Sequence, residues 1–423
     1  MDSERIVRIL SEIFTEKELI NLPITKNGDN LLAYLIKNNG DFYDIKYIIS
    51  AGSVKIVNAK IKGKTPLYIA SEYGRFDIVN YLIINTDVEI NEPCSGDYPI
   101  YAAIAGGYLE IVKILIEYDA NINMKSSSKY DMTPFGLAVY LGHLEMAEYL
   151  RENDPKFDIN EYDLDEALIS ICKKGNLESL KYLIKIGIKF DKYKEQSLIN
   201  VAAGEGHKHI VECLMAEGVV GGHCHPIFNA CYDGHLELVE FFYNIDNTVI
   251  NSVSNCMYGD NWTLLQMASK CGHVEIVKFL LAKVDLDYSV SKFDNKTTVH
   301  YAAKEGHLEI IKLLEDDGVD LNVKSCNGTP IELAYIHRHF DIVKYLIECD
   351  VECDNLLKMA SKDGNLEIVQ LLLEQGYEIN VQSSPALTLA CQAGHLEIAK
   401  LLVKEGAFID EFCEKILSKA GII

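Results

Sequence analysis

The sequence has few of the features that mark membrane, secreted or nucleic-acid-binding proteins. No apolar run reaches the roughly 18 residues that a bilayer requires, because the most apolar window, 100–116, is interrupted by Glu110 and Lys113. Residues 1–5 are charged in both senses and lack the apolar core of a secretory signal. We therefore expect neither membrane insertion nor secretion, and we predict a cytoplasmic protein, with a nuclear location left open.

Cysteine and positive charge are also in short supply. Twelve cysteines in 423 residues are too few for a disulfide framework, which fits a reducing compartment. Basic residues number 40 against 63 acidic ones, so the net charge is -23. A surface of that sign repels a phosphate backbone, and nucleic acid is therefore not an expected partner.

One phrase, Gly-His-Leu-Glu or a near variant, recurs along the chain. It begins at twelve anchor positions spaced about 33 residues apart, near residues 40, 74, 107, 142, 175, 206, 234, 272, 306, 338, 364 and 394. Alanine stands four positions before ten of the twelve anchors and would let two helices approach closely. This period predicts one repeated unit from residue 30 to 408, rather than the roughly three domains that length alone suggests.

Each repeat has the pattern of two helices. The stretch before the anchor predicts a short helix, which an anchor glycine would end in the left-handed conformation that glycine tolerates. A second helix follows, and in the clearest copy residues 308–314 are apolar at helical spacing, with Glu309 and Lys312 facing outward. Some copies depart from the pattern: Ile171 replaces the alanine, Arg338 replaces an anchor glycine, and the first repeat carries an extra residue.

These residues resemble the ankyrin repeat family, whose unit is a turn followed by two antiparallel helices. The opening Thr-Pro-Leu-His of that family survives as Thr65-Pro66-Leu67-Tyr68, and its first two residues recur at Thr133-Pro134 and Thr329-Pro330. The resemblance covers about 380 of the 423 residues. It implies an all-α ankyrin-repeat solenoid of stacked helix-turn-helix units with turn or hairpin fingers. Helical caps are expected at 1–29 and, as a half-repeat, at 409–423.

The sequence offers little for catalysis. Eight of the twelve histidines occupy consensus positions of the repeat, so they are expected to be architectural. No nucleophile elbow and no His-Glu-x-x-His helix is present. We expect no enzyme activity and no cofactor. Short spacing of imidazole and thiol groups leaves a weak metal hypothesis, for which the candidates are His209, His223, Cys224 and His225.

A stack of repeats exposes a concave groove built from turn tips and first helices. In ankyrin proteins the contacts usually come from the two residues before the anchor and from the turn 10 to 13 residues before it. Transferred to this chain, those positions predict a partner-binding set: Tyr73, Tyr130, Tyr140, Tyr232, Asp233, Trp262, Phe293 and Asp294. Trp262 is the strongest candidate because aromatic residues are common among interface hot spots. The alternative for Trp262 is packing between adjacent turns.

The resemblance thus implies a non-enzymatic scaffold, expected to be a monomer, that binds a protein partner in its concave groove. The alternative is a targeting adaptor or host-directed effector, which would recruit the partner to a degradation or signalling machine. The acidic charge predicts a partner with a basic face and an association rate that salt reduces. Two long turns, 124–130 and 252–261, predict fingers that either add specificity or are neutral drift.

Overall fold

The structure is a computed structural model. It describes residues 30–51, 57–126, 132–159, 164–190, 198–221, 225–254, 262–283, 296–352, 355–380 and 386–423. Within these segments the chain forms α-helices joined by turns, one short 3-10 helix at Asn247–Asn251, and isolated bridges in place of strands. The all-α fold class predicted from the sequence is therefore confirmed. The N-terminal cap predicted at 1–29 lies outside the described residues.

Helices occur in pairs, with an inner helix before each anchor and an outer helix after it. The inner helices are α1 Leu31–Lys37, α3 Pro66–Glu72, α5 Pro99–Ala105, α7 Pro134–Leu141, α9 Asp165–Lys174, α11 Leu198–Gly204, α13 Pro226–Tyr232, α15 Leu264–Cys271, α17 Thr298–Glu305, α19 Pro330–Ile336, α21 Leu356–Asp363 and α23 Ala386–Ala393. The outer helices are α2 Phe42–Ala51, α4 Phe76–Asn85, α6 Leu109–Glu117, α8 Leu144–Glu152, α10 Leu177–Lys185, α12 Lys208–Ala216, α14 Leu236–Ile245, α16 Val274–Leu281, α18 Leu308–Asp316, α20 Phe340–Glu348, α22 Leu366–Glu374 and α24 Leu396–Lys404. A final helix, α25, spans Glu411–Lys419.

Threonine and proline fix the start of several inner helices. The Thr65 hydroxyl accepts the Tyr68 N–H at 3.2 Å, and proline follows at the first helical position, where its missing donor would be unpaired anyway. At α19 the cap is reciprocal, because Thr329 accepts from the Glu332 N–H at 3.4 Å while the Glu332 carboxylate accepts from the Thr329 N–H at 2.9 Å. The Thr-Pro signature thus starts a helix locally, because threonine accepts a backbone N–H and proline lacks an N–H that would be unpaired.

The anchors adopt the left-handed backbone that the sequence predicted. Ten anchor glycines have positive φ, from Gly74 to Gly394. In the first repeat the left-handed residue is Asn39, with φ 56°, and not Gly40. Asparagine is one of the few residues besides glycine that visits this region routinely. Arg338, the remaining anchor, also has a positive φ of 66°, although arginine does not visit this conformation as readily as glycine or asparagine.

Small residues and apolar stripes hold the helices together. The ten alanines four positions before the anchors are fully buried. On the outer helix α18, Ile310, Ile311 and Leu314 are buried while Glu309 and Lys312 are exposed, as the periodicity predicted. Every helix of this kind is about half core and half surface, so it can bury its apolar side only against neighbouring repeats.

Asparagine side chains connect the turns of adjacent repeats. Asn58 donates to the Asp87 carbonyl at 3.0 Å and accepts from the Glu89 N–H at 2.9 Å. Asn380 makes the same two bonds, to the Gly406 carbonyl at 3.2 Å and from the Phe408 N–H at 2.9 Å. These amides satisfy backbone groups that the short turns leave without a ladder partner.

The described helices group into two compact units. The first runs to Ala202 and includes His209–Val220, and the second comprises Ala203–Lys208 and Gly221–Ile423. In the first unit, the inner helices α1, α3, α5, α7 and α9 pack side by side in chain order. The inner helices of the second unit, from α13 to α23, pack in the same way. Helix α25, which lies in the segment predicted as a C-terminal half-repeat, packs against α23.

Candidate partner-binding surface

The two residues before each anchor form the exposed end of the inner helix. Tyr73, the C-cap that follows α3, is 44% exposed, and Tyr232, the last residue of α13, is 38% exposed. Tyr140 on α7 is half-buried, and the ammonium of Lys174 lies 4.1 Å from the centroid of its ring. The structure thus places three of the predicted aromatic residues where a partner can reach them.

Asp233 follows Tyr232 and carries a perturbed carboxyl group. Partial burial raises its pKa above the usual range and Glu205 adds to the effect, while His235 and His273 oppose it. A carboxylate that has already lost part of its hydration is less costly to cover with a partner than a fully solvated one. Asp233 remains exposed enough to be contacted.

Trp262 was the strongest predicted contact residue, but the structure buries its side chain. It is only 6% exposed, its ring centroid lies 4.8 Å from that of Tyr301, and the Lys270 ammonium lies 4.1 Å from its centroid. Its carbonyl accepts the Ser254 N–H at 2.8 Å across the base of the long turn. Packing at the root of that turn, the alternative role, is what the structure describes, because a residue flanking two well-packed repeats is drawn into their core.

Several other predicted residues lie outside the described part of the chain: Tyr130, Phe293, Asp294, His223 and Cys224. The other two metal candidates have structural contacts. The His209 Nε2 is 3.1 Å from the Gly175 carbonyl, and the His225 Nδ1 accepts the Ile227 N–H at 3.3 Å as the N-cap of α13. Within the described segments, no three His, Cys, Asp or Glu side chains converge as a metal site would require.

Histidines that follow the anchors tie successive repeats together in the second unit. Each places its Nε2 near the carbonyl two residues before the preceding anchor: 2.8 Å for His273 to Tyr232, 3.0 Å for His307 to Lys270, 3.0 Å for His339 to Lys304, and 3.1 Å for His395 to Lys362. The imidazole also lies on the preceding anchor glycine. A Cβ added at Gly272 would be 2.5 Å from His307 Cε1, so the glycine is required for space as well as for φ.

This arrangement explains how Arg338 can replace an anchor glycine. The residue that should pack its ring on position 338 is Asn365, which is shorter and turns inward to accept the Ile368 N–H at 3.2 Å. With no imidazole above it, a Cβ at position 338 is accommodated. The left-handed backbone still costs a non-glycine residue about 1–2 kcal/mol. Arg338 and Asn365 are thus a matched pair of departures from the repeat.

A cleft of about 730 Å³ lies at this junction, inside the second unit. Its lining residues are Tyr335, Ile336, Arg338, Phe340, Met359, Asp363, Gly364, Asn365 and Leu366. The inner helices α19 and α21 pack less extensively here than their neighbours on either side do. Burial and the nearby Asp363 carboxylate raise the pKa of Tyr335 to about 12. Sequence reasoning missed this cleft, although the Arg338 substitution and the short spacing to Gly364 were its signals.

Lysines recur at the exposed ends of the inner helices, although the chain as a whole is acidic. Lys270, Lys304 and Lys362 stand at equivalent positions, two residues before their anchors. Lys304 pairs with Glu305 at 3.1 Å, while Lys362 is exposed. The charge of this surface is therefore mixed, and it does not follow the net charge of -23.

Comparison with known proteins agrees with the architecture. A family model described as ankyrin repeats (three copies) matches residues 2–94, 83–163, 201–292, 227–325, 286–356 and 331–413. The chain belongs to the ankyrin repeat family. Ankyrin repeats bind protein partners, are typically non-enzymatic, and so imply a protein–protein interaction scaffold. Among the helices that the structure describes, none is both long and apolar enough to cross a membrane.

Individual relatives share only a part of their length with this ankyrin repeat chain. The ankyrin repeat and KH domain-containing protein mask-1 of Caenorhabditis elegans is 25% identical over 219 residues, which are 49% of this chain and 8% of that protein. The human transient receptor potential cation channel subfamily A member 1 is 27% identical over 338 residues, 75% of this chain and 27% of that protein. Glycerophosphocholine phosphodiesterase GDE1 of Candida albicans is 31% identical over 130 residues, 30% of this chain and 11% of that protein.

Proposed function

We propose that this ankyrin repeat protein is a non-enzymatic scaffold that holds a protein partner on the exposed ends of its inner helices. The observation that carries the proposal is the exposure of Tyr73 and Tyr232, each within the two residues that precede the anchor of its repeat. Tyrosine supplies a large, rigid contact area at a low entropic cost and is enriched among interface hot spots. Exposed aromatic side chains at the ends of inner helices are the features that a binding surface needs.

The proposed partner has a basic region, and charge acts on it in two ways. The net charge of -23 attracts a basic protein over long range and raises the association rate. The proposed contact surface itself is mixed, because Asp233 is the C-cap of the inner helix of one repeat and Lys270 stands near the end of the next one. Within contact distance, therefore, the partner is expected to present acidic and basic groups together.

Affinity purification of the full chain from its source cell, followed by mass spectrometry, tests the proposal. Replacing Tyr73, Tyr140 and Tyr232 together by alanine should weaken capture of the main partner by about tenfold or more, because each hot-spot loss is worth about 1–2 kcal/mol. The matched control is Tyr43→Ala, since Tyr43 is an exposed tyrosine on the outer helix α2. Equal capture by the triple variant and the wild type would place the binding surface elsewhere.

The same purification separates the scaffold from the adaptor. Recovery of ligase or signalling subunits together with the partner would support the adaptor. Once the partner is known, its association rate should fall between low and physiological salt, where the screening length shortens to about 8 Å. A rate that salt leaves unchanged would contradict the charge argument while leaving the aromatic contacts intact.

A further inference from the structure

The junction between α19 and α21 combines three features that no other described junction of the second unit combines. The anchor is Arg338 in place of glycine, the next repeat has Asn365 in place of histidine, and an open cleft lies between them. At its neighbours, Gly306 and Gly364, the imidazole of the following repeat occupies the equivalent space, within 2.6 to 2.7 Å of where a Cβ would stand. The cleft therefore includes the space that a consensus histidine would occupy.

We propose that this cleft binds a short acidic peptide segment in which an aliphatic or aromatic side chain neighbours a carboxylate. The inference rests on the proposed function only in taking the ligand to be a polypeptide. It concerns a site distinct from the tyrosines of the other repeats, and it names the chemistry that the site recognises.

The apolar part of the ligand is indicated by the walls of the cleft. Ile336 is 56% exposed at the end of α19, although it stands where neighbouring repeats carry lysine. Phe340, Met359 and Leu366 line the rest and are half-buried. An apolar side chain seated here would remove that surface from water, and methionine adapts to the shape of what it contacts.

The carboxylate is indicated by the charges at the rim. Among the described residues, no carboxylate lies within ion-pair distance of the Arg338 guanidinium, and Lys362 likewise has no ion-pair partner there. Asp363 also lines the cleft and offsets one of these two charges, so Arg338, Lys362 and Asp363 together leave a net positive charge of one at the rim. A guanidinium with its donors unused recognises a carboxylate through two parallel hydrogen bonds.

The backbone of Arg338 gives independent support. A bulky residue held at φ 66° is strained, and strained backbone of this kind is enriched at binding and active sites. Glycine would satisfy the same conformation without strain, as it does at ten other anchors. Arginine thus stands at an anchor that borders the cleft, where its guanidinium can contact a bound ligand.

The test is a selection from a displayed library of eight-residue peptides on the full chain, followed by fluorescence polarisation with one labelled enriched peptide. Enriched peptides should carry Asp or Glu next to Leu, Ile or Phe. Replacing that acidic residue by Lys, or Arg338 by Gln, should each weaken binding by about tenfold or more, since a charged hydrogen bond at a desolvated site is lost.

The structural control is the consensus double change, Arg338→Gly with Asn365→His. Glycine makes room for the imidazole, which occupies the part of the cleft next to position 338 and can reach the Ile336 carbonyl, so the variant should fold at least as well as the wild type by circular dichroism. It should nevertheless lose the labelled peptide, whereas Tyr232→Ala should retain it. Selection of basic peptides, failure to select any peptide, or full binding by the double variant would each overturn the proposal without touching the role of the tyrosines.

Discussion

At the scale of single residues, Tyr108 shows how a repeat adapts when its histidine is replaced. Its ring lies over the backbone of the preceding anchor Gly74 and of Gly106 in its own repeat. Gly106 has an ordinary φ of -84°, so its conformation does not require glycine. Space does, because a Cβ there would lie 2.6 Å from the Tyr108 Cδ2. Glycine at position 106 is the condition for tyrosine at position 108.

We predict that Gly106→Ala destabilises the first unit by about 1–3 kcal/mol, the usual cost of overpacking. The measurement is urea denaturation followed by circular dichroism. Gly136→Ala is the matched control, because Gly136 lies in α7 and the nearest atoms to an added Cβ are 3.4 Å or more away. Alanine there should be neutral or stabilise by up to about 1 kcal/mol through helix propensity. Equal midpoints for the two variants would show that Tyr108 moves without penalty.

At the scale of one helix, His225 determines how α13 begins. Its Nδ1 accepts the Ile227 N–H at 3.3 Å, and its ring meets the Phe242 ring edge to face at 5.4 Å. A protonated imidazole has no acceptor on Nδ1, so only the neutral ring caps the helix. Burial lowers the pKa of His225 below its ordinary value of 6.5, while Asp246 opposes that shift.

The lowered pKa predicts that acid destabilises the second unit through His225. As the pH falls below 6.5, the unfolded chain binds a proton at this histidine more readily than the folded chain does, so the free energy of unfolding decreases. Between pH 7.5 and 5.5 the urea midpoint of the wild type should therefore drop further than that of His225→Ser, in which serine keeps the cap without titrating. Parallel pH profiles for the two proteins would be evidence against this role.

At the scale of the whole molecule, the repeat architecture predicts that stability is approximately a sum of repeat and neighbour terms rather than one cooperative core. The single tryptophan offers a way to see this, because Trp262 is buried in the second unit. Its fluorescence reports the repeats around it, while circular dichroism reports helices of both units.

We predict that Gly106→Ala shifts the urea midpoint of circular dichroism at 222 nm more than that of Trp262 fluorescence. Asn365→His alone should shift the midpoint of Trp262 fluorescence more than that of circular dichroism. The new imidazole would meet the Cβ of Arg338, which lies in the second unit. Coincident shifts of both signals in both variants would mean that the chain unfolds as one cooperative block.

The repeated pattern and the secondary structure could be predicted from the sequence because they depend on near neighbours. Thr-Pro starts a helix, glycine ends it, and a period of 3.6 residues marks the buried side; each acts within a few residues. The departures from the repeat could also be seen in the sequence, but their structural consequences could not be predicted from it. Arg338 was evident as an exception, whereas its cleft depends on what Asn365, 27 positions later, fails to fill.

By itself, then, the sequence determined the ankyrin repeat fold and the surface on which binding residues are predicted. Only the tertiary structure decided which of those residues are exposed. Tyr232 and Trp262 are both aromatic residues at predicted contact positions, yet one is open and the other is covered by Tyr301 and Lys270. Exposure is set by side chains that come from other repeats, and the spacing within a single repeat carries no information about them.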